Sequence, residues 1–154
     1  MSRRPRKRGV LGLLALLLSA AGCTTPSTNV RPASPIVGAW VVRAPQAPFP
    51  LHMFVFHSDG TVEQSNPDAG DAKTSDSNLM GIWVPDGGGF RGKLVEVAAD
   101  RLTHQFVSRT EISFSVQVAG DTFKGAAEAR SFDATGRPAG DRVHATLEGE
   151  RVIP

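Results

Sequence analysis

The sequence predicts an all-β fold, an eight-stranded antiparallel up-and-down barrel, on three observations. Short apolar segments recur through residues 36–153, separated by Gly-, Asp-, Asn- and Pro-containing turn signals. Within 110–118, Ile112, Phe114, Val116 and Val118 alternate with Glu111, Ser113, Ser115 and Gln117, the period of a half-buried strand. No stretch of this region carries a convincing helical pattern. Eight short strands joined by short turns close most economically into a barrel, because closure removes the exposed edges of an open sheet.

The chain begins MSRRPRKR, with five positive charges and no negative one, and continues into an apolar run from Val10 to Gly22. That run is shorter than the roughly 20 residues needed to span a bilayer. A basic start, a short apolar stretch and a small-residue end read as a secretory signal peptide over residues 1–22. Ala20-Ala21-Gly22-Cys23 then resembles the lipobox of bacterial lipoproteins. The resemblance implies cleavage before Cys23, a diacylglyceryl thioether on its sulfur, and an acyl chain such as palmitate on the new amine. Cys23 is the single cysteine, so no intramolecular disulfide is possible, and a thiol consumed by lipid accounts for its place; the alternative is an ordinary signal peptide with an incidental cysteine. Several acyl chains anchor stably where one holds marginally. Ser2-Arg3-Arg4 resembles the start of a twin-arginine export signal, but Pro5, Arg6 and Lys7 depart from what should follow, and the export route stays open. The expected location is outside the cytoplasm, lipid-anchored at the cell membrane or, given Thr24 after Cys23, the outer membrane.

Removing the leader reverses the charge. It holds five of the 17 basic residues and none of the 15 acidic ones, leaving 12 against 15, a net charge of about −3 with histidine neutral. No basic stripe remains to neutralise phosphates, which excludes a nucleic-acid partner on electrostatic grounds.

Residues 23–35 are rich in Thr, Ser and Pro and read as an extended tether. Residues 36–154 suit one domain. Its first predicted strand is IVGAWVV (36–42). LHMFVF (51–56) enters the turn Ser58-Asp59-Gly60, and TVEQS (61–65) returns from it. LMGIWV (79–84) meets the glycine turn 86–89, and FRGKLVEV (90–97) follows. The alternating strand 110–118 turns at Ala119-Gly120-Asp121 into 122–132. A loop opening at Asp133 leads to the last strand, 142–153.

Gly38-Ala39-Trp40 on the first strand resembles the G-x-W motif of the calycin superfamily, which includes lipocalins and avidins. The resemblance implies a lipocalin-like barrel whose tryptophan plugs the base beneath an arginine from the far end of the chain. Arg151 in Gly149-Glu150-Arg151 is the residue offered here, so Trp40 and Arg151 are the expected closure of the base. The stretch FHSDGTVEQSNPDAG is similar to small secreted bacterial proteins of lipocalin-like type, which bring no assigned activity with them.

Candidate chemistry is sparse. Gly87-Gly88-Gly89-Phe90-Arg91-Gly92 matches G-x-G-x-x-G literally, but a dinucleotide site needs that loop to open a helix inside a βαβ unit; a hairpin turn is the preferred reading. Residues 65–78, SNPDAGDAKTSDSN, form the longest expected structureless segment, a candidate cover for the barrel mouth. Asp68, Asp71 and Asp76 within it could approach a hard cation, but their spacing fits no EF-hand. The four histidines, His52, His57, His104 and His144, lack zinc-ligand spacing, and no G-x-S-x-G elbow occurs. No metal, cofactor or catalytic residue is therefore assigned.

The interior depends on strand phase. With Phe114 and Val116 inward, the neighbouring strand contributes Phe123, Gly125, Ala127 and Ala129, three of them very small. Either bulky neighbours such as Trp83 and Phe56 fill the space, or a cavity remains. Glu96 shares the alternation of Phe90 and Leu94 and is a candidate polar group inside, although an outward, solvated carboxylate is preferred because glutamate is rarely buried unpaired. The expected function is the non-catalytic binding of a small, largely apolar molecule at the cell envelope, with Phe56, Trp83, Glu96, Phe114 and Phe123 as candidate ligand contacts. Two alternatives stand beside it. One is a barrel enzyme of cyclase or isomerase type, which would need a buried acid or base. The other is a filled barrel acting on an unidentified protein through its loops.

Overall fold

The computed structural model describes residues 34–66 and 72–154. The leader, Cys23, most of the tether, Asp68 and Asp71 lie outside the described residues. Nine strands follow in chain order: β1 (Gly38–Arg43), β2 (Leu51–Phe56), β3 (Thr61–Ser65), β4 (Thr74–Asp76), β5 (Leu79–Asp86), β6 (Gly89–Asp100), β7 (Phe106–Ala119), β8 (Thr122–Asp133) and β9 (Pro138–Arg151). They run β6-β5-β3-β2-β1-β9-β8-β7, and β7 pairs back onto β6 to close an eight-stranded antiparallel barrel. The ninth, β4, lies outside the ring and pairs with Ala98–Asp100 of β6, past the Met80–Val95 pair where β5 ends its contact with β6.

Two features depart from the sequence reading. The segment expected to be structureless, 65–78, contains β4, held by backbone bonds and by Ser77, whose Oγ accepts from the Val97 amide at 3.1 Å. The strands β6, β7 and β9 also run further than their apolar alternation indicates, to Asp100, from Phe106 and from Pro138. Register explains the extension: β6 and β7 stay paired from Phe90↔Val116 to Ala99↔Phe106, across a register shift at Ala98/Ala99. The turn between them is fastened by Asp100, whose Oδ1 accepts from the amides of Leu102 and Thr103 and the Thr103 hydroxyl. The Gly-rich motif is the two-residue turn of the β5–β6 hairpin, with Gly87 and Gly88 at φ 55° and 86° and Asp86 paired to Gly89. No helix begins there.

One end of the barrel is filled with rings. Trp40, Phe56 and Phe123 are fully buried. Phe56 lies 5.9–6.4 Å, centroid to centroid, from Phe114, Trp83 and Phe123, all edge-on, the arrangement that ring quadrupoles favour. Trp83 stacks edge-to-face with Phe90 at 5.5 Å and donates its indole N–H to the His57 carbonyl. Glycines make room for the rings. A Cβ on Gly149 would sit 2.2 Å from the Phe123 ring, and one on Gly92 would sit 2.3 Å from the Phe114 ring.

Below these rings, Arg151 stands across from Trp40 in the β1–β9 register, its guanidinium carbon 4.2 Å from the indole centroid. Its Nη1 donates to the Val37 carbonyl at 2.8 Å, Nη2 donates to the Pro35 carbonyl, and Nε donates to Asp121 at 3.0 Å. The Trp40 N–H donates to the Ile36 carbonyl at 2.8 Å. The glycine of G-x-W has a physical reason here. Gly38 sits at φ 132°, and a Cβ there would lie 2.9 Å from Arg151 Nη1.

Candidate ligand-binding cavity

The opposite end of the barrel is hollow. Inward positions alternate along each strand, and β8 shows the change: its inward residues are Phe123, Gly125, Ala127, Ala129 and Ser131, paired across to Val118, Val116, Phe114, Ile112 and Thr110 of β7. From Ala127 onward the inward residues of β8 are all small. The result is a cavity of about 500 Å³, within the range of small-molecule sites. Phe54, Phe114 and Leu147 lie beside the filled end. Ile112, Ala127, Ala129, Val143 and Ala145 form the walls.

The rim comes from three places. The β1–β2 loop contributes Ala44, Ala47, Pro48 and Phe49; it folds on itself through Ala44 N–H to the Pro50 carbonyl and Ala47 N–H to the Ala44 carbonyl. The two flanks of the 65–78 segment contribute Asn66 on one side and Asp76, Ser77 and Asn78 on the other. Glu96 and Thr110 complete the rim from β6 and β7, and the Thr110 hydroxyl lies 3.0 Å from that of Ser131.

Glu96 corrects one expectation. It continues the inward series Phe90, Gly92, Leu94 and faces the cavity, half-buried, instead of pointing outward to solvent. Burial, with the neighbouring Asp76 carboxylate adding to it, pushes its carboxyl up to about 7. The ladder explains the inward turn: the β6–β7 pairing is unbroken from Phe90 to Ala98, so residue 96 cannot change face without a bulge.

A second polar group was not legible as such in the sequence. His52 and Gln64 occupy inward positions of β2 and β3, with 8% and 4% of their surface exposed. Asn66 Oδ1 lies 2.6 Å from His52 Nδ1 and 2.8 Å from Gln64 Nε2. With that oxygen as shared acceptor, Nδ1 carries the imidazole proton, and the 3.2 Å approach of Gln64 Nε2 to Nδ1 is a contact between two donors. In the neutral imidazole this tautomer leaves Nε2 as the acceptor. The signal available was phase: His52 shares the parity of Phe54 and Phe56, and Gln64 that of Val62.

The other sequence candidates fall at different places. Phe114 lines the cavity. Phe56 and Phe123 are corrected from ligand contacts to members of the ring-packed end, and neither lines the cavity. Trp83 packs there too, and also borders a more open depression of about 550 Å³ on the outer wall, among Arg91, Lys93, Glu128 and His144. Asp76 is at the rim. Among the described residues, no three His, Cys, Asp or Glu side chains converge to hold a metal ion.

A closed antiparallel barrel with one ring-packed end and one hollow end is the class that fold and cavity define. Comparison with protein-family models, with curated proteins and with solved structures gives no match to this chain.

Proposed function

We propose that the protein is an exported, lipid-anchored binding protein of the cell envelope whose barrel holds one small, largely apolar molecule. The observation that carries the binding reading is the 500 Å³ cavity walled by Ile112, Ala127, Ala129, Val143 and Ala145. A barrel of eight strands has room for either its own side chains or one small ligand, and here small residues hold that room open at one end. The anchoring rests on the leader and Cys23, which lie outside the described residues. Native mass spectrometry of the protein purified from its own envelope tests the binding. A reproducible extra mass the size of a small lipid, lost on Ala129→Phe, is expected; a bare polypeptide mass under all growth conditions would overturn it. Cys23→Ser is expected to remove the lipid mass and release the protein from the membrane fraction.

A second reading, a barrel enzyme, is favoured by Glu96, a carboxyl that titrates near neutrality inside a cavity it shares with His52. General acid–base groups work best with a pKa near the working pH. This reading predicts that the bound molecule, extracted and returned to protein, is chemically altered by the wild type and not by Glu96→Gln.

A further inference from the structure

The polar groups of the cavity are of one kind. The described residues lining it include two carboxylates, Asp76 and Glu96, and no lysine or arginine. Several cations of the neighbouring strands are engaged elsewhere. Lys93 and Arg109 pair with Glu111, Arg142 pairs with Glu128, and Arg109 and Arg130 stack on the Phe132 ring. Asp76 and Glu96 have no hydrogen bond or ion pair among the described residues. The free positions of the buried pair are acceptors as well. His52 Nε2 and Gln64 Oε1 lack a partner among the described residues, on side chains more than nine-tenths buried that line the same cavity. Both atoms open on the cavity, so the donors of a bound molecule can take the place of water there.

We propose that the cavity selects apolar molecules carrying a positively charged, hydrogen-bond-donating head, a primary ammonium, seated against Asp76 and Glu96 with the tail toward Phe54 and Phe114. This inference rests on the binding reading above and names the ligand class within it. A molecule ending in a carboxylate would place a third negative charge among two. An ammonium has three donors and no acceptor, which matches a rim of carboxylates and open lone pairs. Binding such a head favours the ionised form of Glu96 and is therefore coupled to pH. The other titratable side chains among the described residues lining the cavity are Asp76 of β4, whose charge acts on Glu96, and His52 of β2.

The test is a displacement titration of the purified protein with decylammonium, decanol and decanoate, at pH 6 and pH 8. At pH 8 decylammonium is expected to bind at least about tenfold more tightly than decanoate. Its affinity should rise up to about tenfold from pH 6 to pH 8, as a carboxyl near 7 gives up its proton. In the double variant Glu96→Gln, Asp76→Asn the ammonium preference should shrink to within about threefold and most of the pH dependence should vanish. Its thermal unfolding reports that it is folded, and Glu128→Gln on the outer wall serves as the control that keeps the preference. Equal binding of all three molecules, or a preference that survives the double variant, overturns the selection and leaves the cavity reading intact. Binding of none of the three overturns both.

Discussion

At the filled end of the barrel, inward glycines face packed neighbours; at the hollow end, inward alanines border open space. The strand β8 passes through both regimes within nine residues, from Phe123 against Trp40 at 5.0 Å to Ser131 against Thr110. Both ends have small residues inside, so composition alone does not distinguish a packed barrel from a hollow one. What differs is the residue on the neighbouring strand. Gly125 and Gly149 are occupied volumes, because Val116 and Phe123 already stand where their side chains would go. Ala127 and Ala129 border the cavity. Ring packing is therefore concentrated at one end and open volume at the other.

Mutation can break this contrast. The largest effect is expected from Phe56→Ala, which removes the ring touching Phe54, Trp83, Phe114 and Phe123. A loss of about 3–5 kcal/mol in chemical denaturation is expected. Next, Gly149→Ala pushes a methyl group into the Phe123 ring, which is held against Trp40. Overpacking of this kind costs about 1–3 kcal/mol, measurable as a lower denaturation midpoint with an unchanged slope.

Glu96→Gln sharpens the contrast at the rim. The native carboxyl titrates near 7 against an ordinary value of 4.5, so between those values the folded state holds a proton that the unfolded chain has released. Stability from this group is thus present below about pH 4.5 and falls as pH rises through 7. Removing the charge should leave stability unchanged at pH 4 and raise it at pH 8 by roughly 1–2 kcal/mol, after allowance for its partial exposure. Denaturant titrations at the two pH values give the comparison. The opposite slope would mean the carboxylate is stabilised by a partner in the folded state.

The core of the fold was legible in the sequence because it is written in period two. The parity of Phe114 and Val116 places Phe123, Gly125, Ala127 and Ala129 inside, and turn residues mark the hairpins from Ser58-Asp59-Gly60 to Ala119-Gly120-Asp121. Legibility fails toward the mouth. Ala98-Ala99-Asp100 and Pro138-Ala139 carry no apolar alternation, and their pairing comes from backbone bonds to neighbouring strands. The three residues Thr74-Ser75-Asp76 of β4 are polar for the same reason and were hidden in a loop. Glu96 is inward by continuity of register, a property of the paired strand that a single segment does not display. His52 and Gln64 were visible only as polar residues of inward parity, and their meeting at Asn66 is a fact of three-dimensional packing.

The smallest expected effect on stability belongs to Ala129→Phe, and it carries the most direct test. A ring at this position enters existing space, so stability should change by no more than about 1 kcal/mol. Fluorescence titration of the wild type and this variant with a neutral naphthylamine dye measures what the space is for. Saturable binding of one dye per wild-type chain, abolished in the equally stable variant, is the predicted result. Equal binding by both proteins, or none by the wild type, would contradict a ligand site in the barrel mouth.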